Sequence, residues 1–273
     1  MSTDTSAAPA RPRRGNRPPP RRLEVVRRQE LSLHLRQVTV GGPGLEGFEP
    51  GLPSSYVKLF LPRNGRLVLP TFGPNGPEWP SDEDRPWVRT YTPYRHRLEA
   101  GELDLVFVRH GEGPAATWAE SATPGDELGL GGPGPGWAIP ADAPWFVLAG
   151  DEAALPAIAT IAAALPAGRT AHVIVEVPAD DDRLPLPSAA TLITTWRARG
   201  ADDAPGSLLE AELRSMHLPL GPGHLWVATE SAVVRRLRSH LVDERGVPRE
   251  RLVVRGYWRS GVPNHPDHDY AED

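Results

Sequence analysis

The chain has 273 residues, 39% of them hydrophobic and 24% charged, which describes an ordinary globular protein of two domains and excludes a fibre. Its net charge of −5 is uneven: residues 1–30 carry eight arginines against Asp4, Glu24 and Glu30, so the remaining body is strongly acidic and unsuited to nucleic acid. There is no cysteine, so disulfides, thiolate metal sites, iron–sulfur ligation and cysteine nucleophiles are excluded, and any redox chemistry belongs to a cofactor.

Residues 1–28 include RPRRGNRPPPRR, read as a solvated, disordered Arg/Pro-rich tail. No secretory apolar core stands in this segment and no run of about 18 apolar residues follows, so the expectation is a cytoplasmic protein without a membrane span. From residue 31, LSLHLRQVTV alternates apolar and polar side chains as a half-buried strand does. SYVKLFLP at 55–62, GRLVLP at 65–70, WVRTYTPY at 87–94 and ELDLVFVRH at 102–110 repeat that pattern between Gly/Pro breaks. GPAATWAESA at 113–122 reads as a helix and GDELGLGG at 125–132 as another strand. Short strands at this spacing predict an antiparallel β-barrel with one helix over residues 29–142.

The rhythm changes after Pro144. WFVLAG at 145–150, HVIVEVP at 172–178 and LWVATE at 225–230 are apolar runs suited to strands buried on both faces, and RLVVRGYW at 251–258 closes the pattern. Helical patterns at 155–165, 207–216 and 231–244 alternate with them. This predicts an α/β domain over 143–262, with a doubly wound parallel sheet, and a short C-terminal tail over 263–273.

GPGLEG at 42–47 fits the dinucleotide fingerprint literally, but FEPG follows it and no helix opens there, so it is an accidental match. GGPGPG at 131–136 reads as a tight turn. The informative string is Arg89-Thr90-Tyr91-Thr92-Pro93-Tyr94-Arg95. On a strand Arg89, Tyr91 and Arg95 share one side. The arginine can chelate a phosphate, the tyrosine can lie against a flat ring and Thr92 can hydrogen-bond a ring edge, a set suited to a flavin dinucleotide. In HGEGPAATW, His110 ends a strand, and Gly111 and Gly113 open a helix whose Pro114 suits the first turn. Its free N–H groups suit a pyrophosphate. The tail string NHPDHD at 264–269 is short and proline-interrupted and reads as solvated, with no metal site.

RTYTPYR, HGEGPAATWA, FVLAGDEAALPAI, WVATESAVVRRLRSHL and RGYWRSG together resemble the siderophore-interacting proteins, FAD-containing ferric-siderophore reductases related to ferredoxin reductases. The likeness runs from about residue 31 to 261. It implies an FAD-binding barrel followed by an NAD(P)H-binding domain. It implies that Arg89 holds the FAD pyrophosphate or its ribityl neighbourhood, that Tyr91 lies on the isoalloxazine, and that Thr92 bonds its edge, with Arg95 beside them. His110, Gly111, Gly113, Pro114, Ala115, Ala116, Thr117 and Trp118 then wrap the pyrophosphate and adenosine. Asp151 and Glu152, with Thr229 and Glu230, follow strands of the second domain and meet NADPH or NADH. Relative to the family pattern, Ala153 replaces a threonine, Thr229 a glycine, and Ala116 a frequent serine.

The resemblance implies flavin-dependent reduction of a ferric siderophore, releasing Fe(II). Lys58, the only lysine in the chain, and Arg259 are candidate contacts for the anionic chelate. A ferredoxin-dependent or general flavin reductase, and a non-catalytic flavin or chelate carrier, are the alternatives. The expected state is a monomer.

Overall fold

In the computed structural model, residues 18–74, 76–111, 113–262 and 268–269 are described. The first half contains β1 (Arg21–Glu30), β2 (Leu35–Gly41), β3 (Val57–Leu61), β4 (Thr71–Gly73), β5 (Gly76–Glu78), β6 (Trp87–Tyr91), β7 (Pro93–Arg97), β8 (Glu102–Val108), α1 (Pro114–Ser121) and β9 (Glu127–Gly131). Seven of these strands form an antiparallel sheet in the order β6-β3-β9-β1-β2-β8-β7. Its two edge strands, β6 and β7, are separated in the chain by Thr92 alone. That one-residue link makes the sheet curl toward a barrel, although no ladder pairs β6 with β7 among the described residues.

Period-two alternation fills the interior: Leu103, Leu105 and Phe107 of β8 join Leu59, Leu61, Leu128 and Leu130 in one buried cluster. The neighbouring Val106 faces outward and, with Leu35 and Tyr94, enters the core of the second domain. The barrel is thus apolar inside and, on one outer face, apolar where the second domain covers it.

Two segments differ from the sequence reading. β1 begins at Arg21, inside the stretch assigned to the tail, and Leu23 and Val25 lie in the barrel core. Two of the arginines of β1 face out to carboxylates, Arg22 to Glu127 at 2.5 Å and Arg27 to Glu102 at 2.7 Å, while Arg21 and Arg28 donate to backbone carbonyls. Residues 1–17 lie outside the described residues. GRLVLP forms no strand; apart from the Arg63–Arg66 bridge it runs as irregular chain whose Val68 carbonyl accepts from Trp79 Nε1 at 3.2 Å. The 42–47 string opens only a single 3-10 turn, as its FEPG sequel requires.

The second half contains β10 (Trp145–Gly150), α2 (Leu155–Ala164), β11 (Thr170–Val177), β12 (Thr191–Ala198), α3 (Ser207–Ser215), β13 (His224–Glu230), α4 (Ser231–Ser239), β14 (Leu252–Trp258) and β15 (His268–Asp269). The sheet order is β12-β11-β10-β13-β14-β15, parallel from β12 to β14, with β15 antiparallel at the edge. α2 covers one face and α3 and α4 the other, so each strand interior is apolar on both sides. β12 (TLITTWRA) has the β-branched content of a strand but follows a Pro-rich loop and is absent from the sequence reading. α4 continues beyond Ser239 as a wider π turn to Glu244.

Candidate functional site

β6 and β3 are paired so that Arg89 lies opposite Leu59 and Tyr91 opposite Val57. Directly opposed residues share a face. Arg89 and Tyr91 therefore lie on the side of the ladder that faces the barrel core, while Thr90 and Lys58 share the other. The Tyr91 ring stands 4.5 Å from Phe107, and Phe107 stands 5.8 Å from Trp118 of α1. Phe107 reads in sequence as one more core position of an alternating strand, yet it joins the two motifs that sequence reasoning held apart. Burial pushes the Tyr91 hydroxyl upward, opposed by Arg89, so the ring is neutral at physiological pH.

Arg89 is half-buried, and among the described residues no carboxylate pairs with it. Its Nη1 donates to the Val88 carbonyl at 2.8 Å and its guanidinium lies 5.8 Å from the Trp87 ring. Burial lowers its pKa from the ordinary value while Tyr91 opposes the shift. An arginine in such surroundings remains charged, so this strand holds a cation without a carboxylate partner among the described residues.

α1 brings a second anion donor set. It packs on β8, β3 and β6. Gly113 caps its start without a side-chain acceptor and Pro114 occupies the first turn, leaving the Ala115 and Ala116 amides without a helical or cap partner among the described residues. Gly111, at φ 49°, takes the left-handed turn that leads into it. His110 is exposed, Thr117 closes the first turn by donating to the Gly113 carbonyl at 2.9 Å, and Ala115 and Ala116 are packed against the barrel. A guanidinium without a carboxylate partner on β6, and amides at the N-terminus of a helix that packs on β6, are donors of the kind a flavin dinucleotide's pyrophosphate would take.

Thr92 is buried at the junction of β6 and β7. Arg95 does not share the side of Arg89 and Tyr91. The register shifts between Pro93 and Arg95, so one extra residue inverts the alternation and Arg95 lies opposite Asp104, its guanidinium 4.8 Å from the Tyr94 ring.

In the second domain the strand order reverses between β10 and β13, the position at which doubly wound sheets bind ligands. Asp151 follows β10 there and is fully buried. Its Oδ2 accepts from Thr229 Oγ1 at 2.7 Å and from Trp258 Nε1 at 2.7 Å, and its Oδ1 from the Ala153 amide at 3.0 Å. Burial, reinforced by Glu152, pushes this carboxyl up to about 7 against the lowering influence of those bonds and of Arg199. Gly150 is obligatory, since a Cβ would lie 2.6 Å from both Ala154 Cβ and the Ala228 carbonyl oxygen.

Glu152 and Glu230 are committed within the protein. Arg199 grips Glu152 through two bonds of 2.6 and 2.9 Å and reaches Glu176 at 3.0 Å. Although burial works against its charge, those carboxylates hold the Arg199 pKa above the ordinary value. Glu230 caps α4, accepting from the Ala232 and Val233 amides at 2.5 and 3.1 Å. Trp258 and Arg199 are the residues of this crevice that sequence reasoning missed. Trp258 stands inside a quoted motif, whereas nothing local marks Arg199.

Lys58 shares its face with Thr90, to whose Oγ1 it donates, and its ammonium lies 5.3 Å from the Tyr56 ring. This is the end of β3 that meets the second domain, where the Ser54 amide donates to Thr160 Oγ1 at 3.0 Å. Arg259 follows β14 in a turn closed by the Val262 amide on its carbonyl at 3.1 Å. The glycine run at 131–136 is set by close approach: a Cβ on Gly134 would lie 2.3 Å from the Tyr56 ring.

A curled antiparallel barrel sheet followed by a doubly wound domain is the ferredoxin-reductase-like architecture of FAD-dependent oxidoreductases. The chain matches the siderophore-interacting FAD-binding domain over residues 24–137 and the siderophore-interacting protein model over 143–261. It is 33% identical over 255 residues to ferric vibriobactin reductase ViuB of Vibrio cholerae, covering 92% of this chain and 93% of that protein. It is 29% identical to the NADPH-dependent ferric-chelate reductase of Escherichia coli, covering 88% and 93% of the two. It superposes on the crystal structure of a siderophore utilization protein from T. fusca with a TM-score of 0.81, at 32% identity over 92% of this chain and 98% of that one. The chain belongs to the siderophore-interacting protein family.

Proposed function

We propose that this protein reduces ferric siderophores, with electrons passing from NADPH or NADH through FAD, so that iron leaves its chelate as Fe(II). The observation that carries the reading is the Arg89 guanidinium, without a carboxylate partner, on β6, the strand against which α1 packs with its N-terminal amides open among the described residues. FAD, when bound, accepts an electron pair as hydride and passes electrons singly, which reconciles a two-electron donor with a one-electron acceptor.

The protein's own part is to bind, orient and shield. Arg89 and the Ala115 and Ala116 amides hold the pyrophosphate, and neutral Tyr91, backed by Phe107, offers a flat apolar surface to the ring. Thr92 presents a hydroxyl at the ring edge. The nicotinamide enters at the switch point, over the surface that Asp151, Thr229 and Trp258 hold together. Glu152 and Glu230 shape that crevice through Arg199 and α4 instead of offering free carboxylates to the nucleotide.

The substrate is an anionic chelate, attracted by Lys58 and Arg259. Its hard oxygen ligands grip Fe(II) less tightly than Fe(III) because the charge is lower, so reduction is itself the release step and needs no metal ligand from the protein. Among the described residues no helix is long and apolar enough to cross a membrane. The cytoplasm, where NAD(P)H is available, is the compartment this donor requires.

The test is an anaerobic absorbance titration of the purified protein with NADPH and, separately, NADH, followed by a ferric siderophore and an Fe(II) indicator. Bleaching of a bound flavin and stoichiometric Fe(II) are expected. Flavin that neither nucleotide bleaches but that reduced ferredoxin does would change the donor. A flavin that passes no electron to the chelate would make the protein a carrier.

A further inference from the structure

The two domains meet through an apolar centre, a Tyr94 hydroxyl that donates to the Pro185 carbonyl at 3.4 Å, and two further polar points. Leu35, Tyr94 and Val106 of the barrel lie in the same buried cluster as α2 and Leu184. Apolar contact is nondirectional and would hold the domains together at many angles. At one margin the Ser54 amide reaches Thr160 of α2. At the other stands Asp182, in the short turn Asp180–Asp182 that follows β11, with no exposed surface.

No arginine or lysine neutralises Asp182 among the described residues; three donors hold it. The Ala179 amide, from its own domain, bonds Oδ2 at 2.8 Å. The other two cross from the barrel: Ser32 Oγ bonds Oδ1, and His34 Nδ1 lies 2.8 Å from Oδ2. A buried carboxylate left without its donors is expensive, so this set fixes one seating of the domains and penalises others. The contact also leads straight to the flavin side. The His34 carbonyl accepts from the Arg109 amide at 2.8 Å, and Arg109 precedes the His110–Gly111 turn into α1. On its own side Asp182 lies just past the carboxyl end of β11, the same sheet edge that carries Asp151, Thr229 and Trp258.

We infer that Asp182, clasped by Ser32 and His34, is a positioning residue that sets the nucleotide crevice against the flavin site for electron transfer. The functional half of this inference rests on the donor reading above; the structural half does not. A misplacement of about 1 Å between reacting centres costs up to about 100-fold in rate, which gives a hydrogen-bonded clasp a kinetic role distinct from stability.

The experiment uses full-length, FAD-loaded Asp182→Asn and Ser32→Ala. Ser32→Ala leaves Asp182 two of its donors and serves if the first variant does not fold. Amide exchange is read at Ser54 and Arg109, since Ser54 touches none of the clasp and reports the seating as a whole. Flavin bleaching by the nucleotide that reduces the wild type is followed by stopped flow, and Fe(II) release is followed from protein already reduced with dithionite. We expect exchange at Ser54 to rise about tenfold or more, as loss of a bond to a charged group implies, and bleaching to slow about tenfold at unchanged flavin content. Iron release from pre-reduced protein stays at the wild-type rate. Wild-type exchange at Ser54, wild-type bleaching, or a parallel fall in iron release would each overturn the assignment. A wild type that no nicotinamide bleaches would overturn the donor reading and the electron-transfer role together, while the exchange result still decides whether the clasp seats the domains.

Discussion

Thr229 Oγ1 donates to Asp151 Oδ2 over 2.7 Å, across the point where the parallel sheet reverses its strand order. In this chain the hydroxyl of the crevice comes from the end of β13 and not from position 153, where alanine stands. Its threonine, on β13, bonds the buried carboxylate after β10, and the 153 position contributes only its backbone amide. With Trp258 as a third donor, one carboxylate ties together the ends of β10, β13 and β14.

Burial, reinforced by Glu152, pushes the Asp151 carboxyl up to about 7 in the folded protein from an ordinary 3.8. Between those values the folded chain holds a proton that the unfolded chain has released. Stability from this group therefore falls as pH rises from about 4 to about 7, and the loss is complete above that. Asp151→Asn has no such titration. Its melting temperature relative to wild type should rise between pH 5 and pH 8, measured by thermal melts in matched buffers. A gap independent of pH would show that the carboxylate is charged throughout.

Arg89→Ala should remove a charge-assisted phosphate contact of roughly 1.5 to 3 kcal/mol, or about 10- to 150-fold in FAD affinity. Arg89→Lys should recover only part, because an ammonium cannot form the two-pronged contact. The check is flavin released per mole of protein on dilution. Wild-type retention in the alanine variant would remove Arg89 from the cofactor site.

How far the site was legible in sequence follows from how local each signal is. Arg89, Tyr91, Gly113 and Pro114 lie in motifs a few residues long, so an expectation about them could be formed from neighbours alone. Arg95 could not be placed, because the bulge at Tyr94 that inverts the alternation arises from pairing with β8. Arg199 meets Glu152 across 47 positions, and Asp182 meets Ser32 across 150. No periodicity reports such pairs. The fold was legible in outline because burial on one face or two leaves different patterns in the strands. β1 escaped because its arginines, which pair with neighbouring strands, look like the arginines of a tail.

That misreading of β1 has a direct consequence. Leu23 is 1% exposed in a strand lying between β9 and β2. Leu23→Ala should cost roughly 2 to 5 kcal/mol, the range for truncating a buried leucine, and lower the melting temperature by several degrees. A neutral result would mean that the strand frays in solution.

Lys58 belongs to the face of the β3/β6 ladder opposite Arg89 and Tyr91, so its charge does not compete for the phosphate that Arg89 serves. It lies at the seam end of β3, with its ammonium on the Thr90 hydroxyl and above Tyr56. A compact ammonium adapts to anionic chelates of varied shape better than a planar fork does. At a partly exposed site the attraction is screened by salt, so its loss should show most at low ionic strength. Lys58→Ala should raise KM for an anionic ferric siderophore there, with the difference from wild type shrinking as salt is added. Flavin content and the rate of flavin bleaching should not change. Steady-state Fe(II) release at two ionic strengths checks this. Equal KM values at low salt would leave Lys58 as a structural partner of Thr90 and Tyr56, and a loss of flavin would assign it to the cofactor side of the ladder.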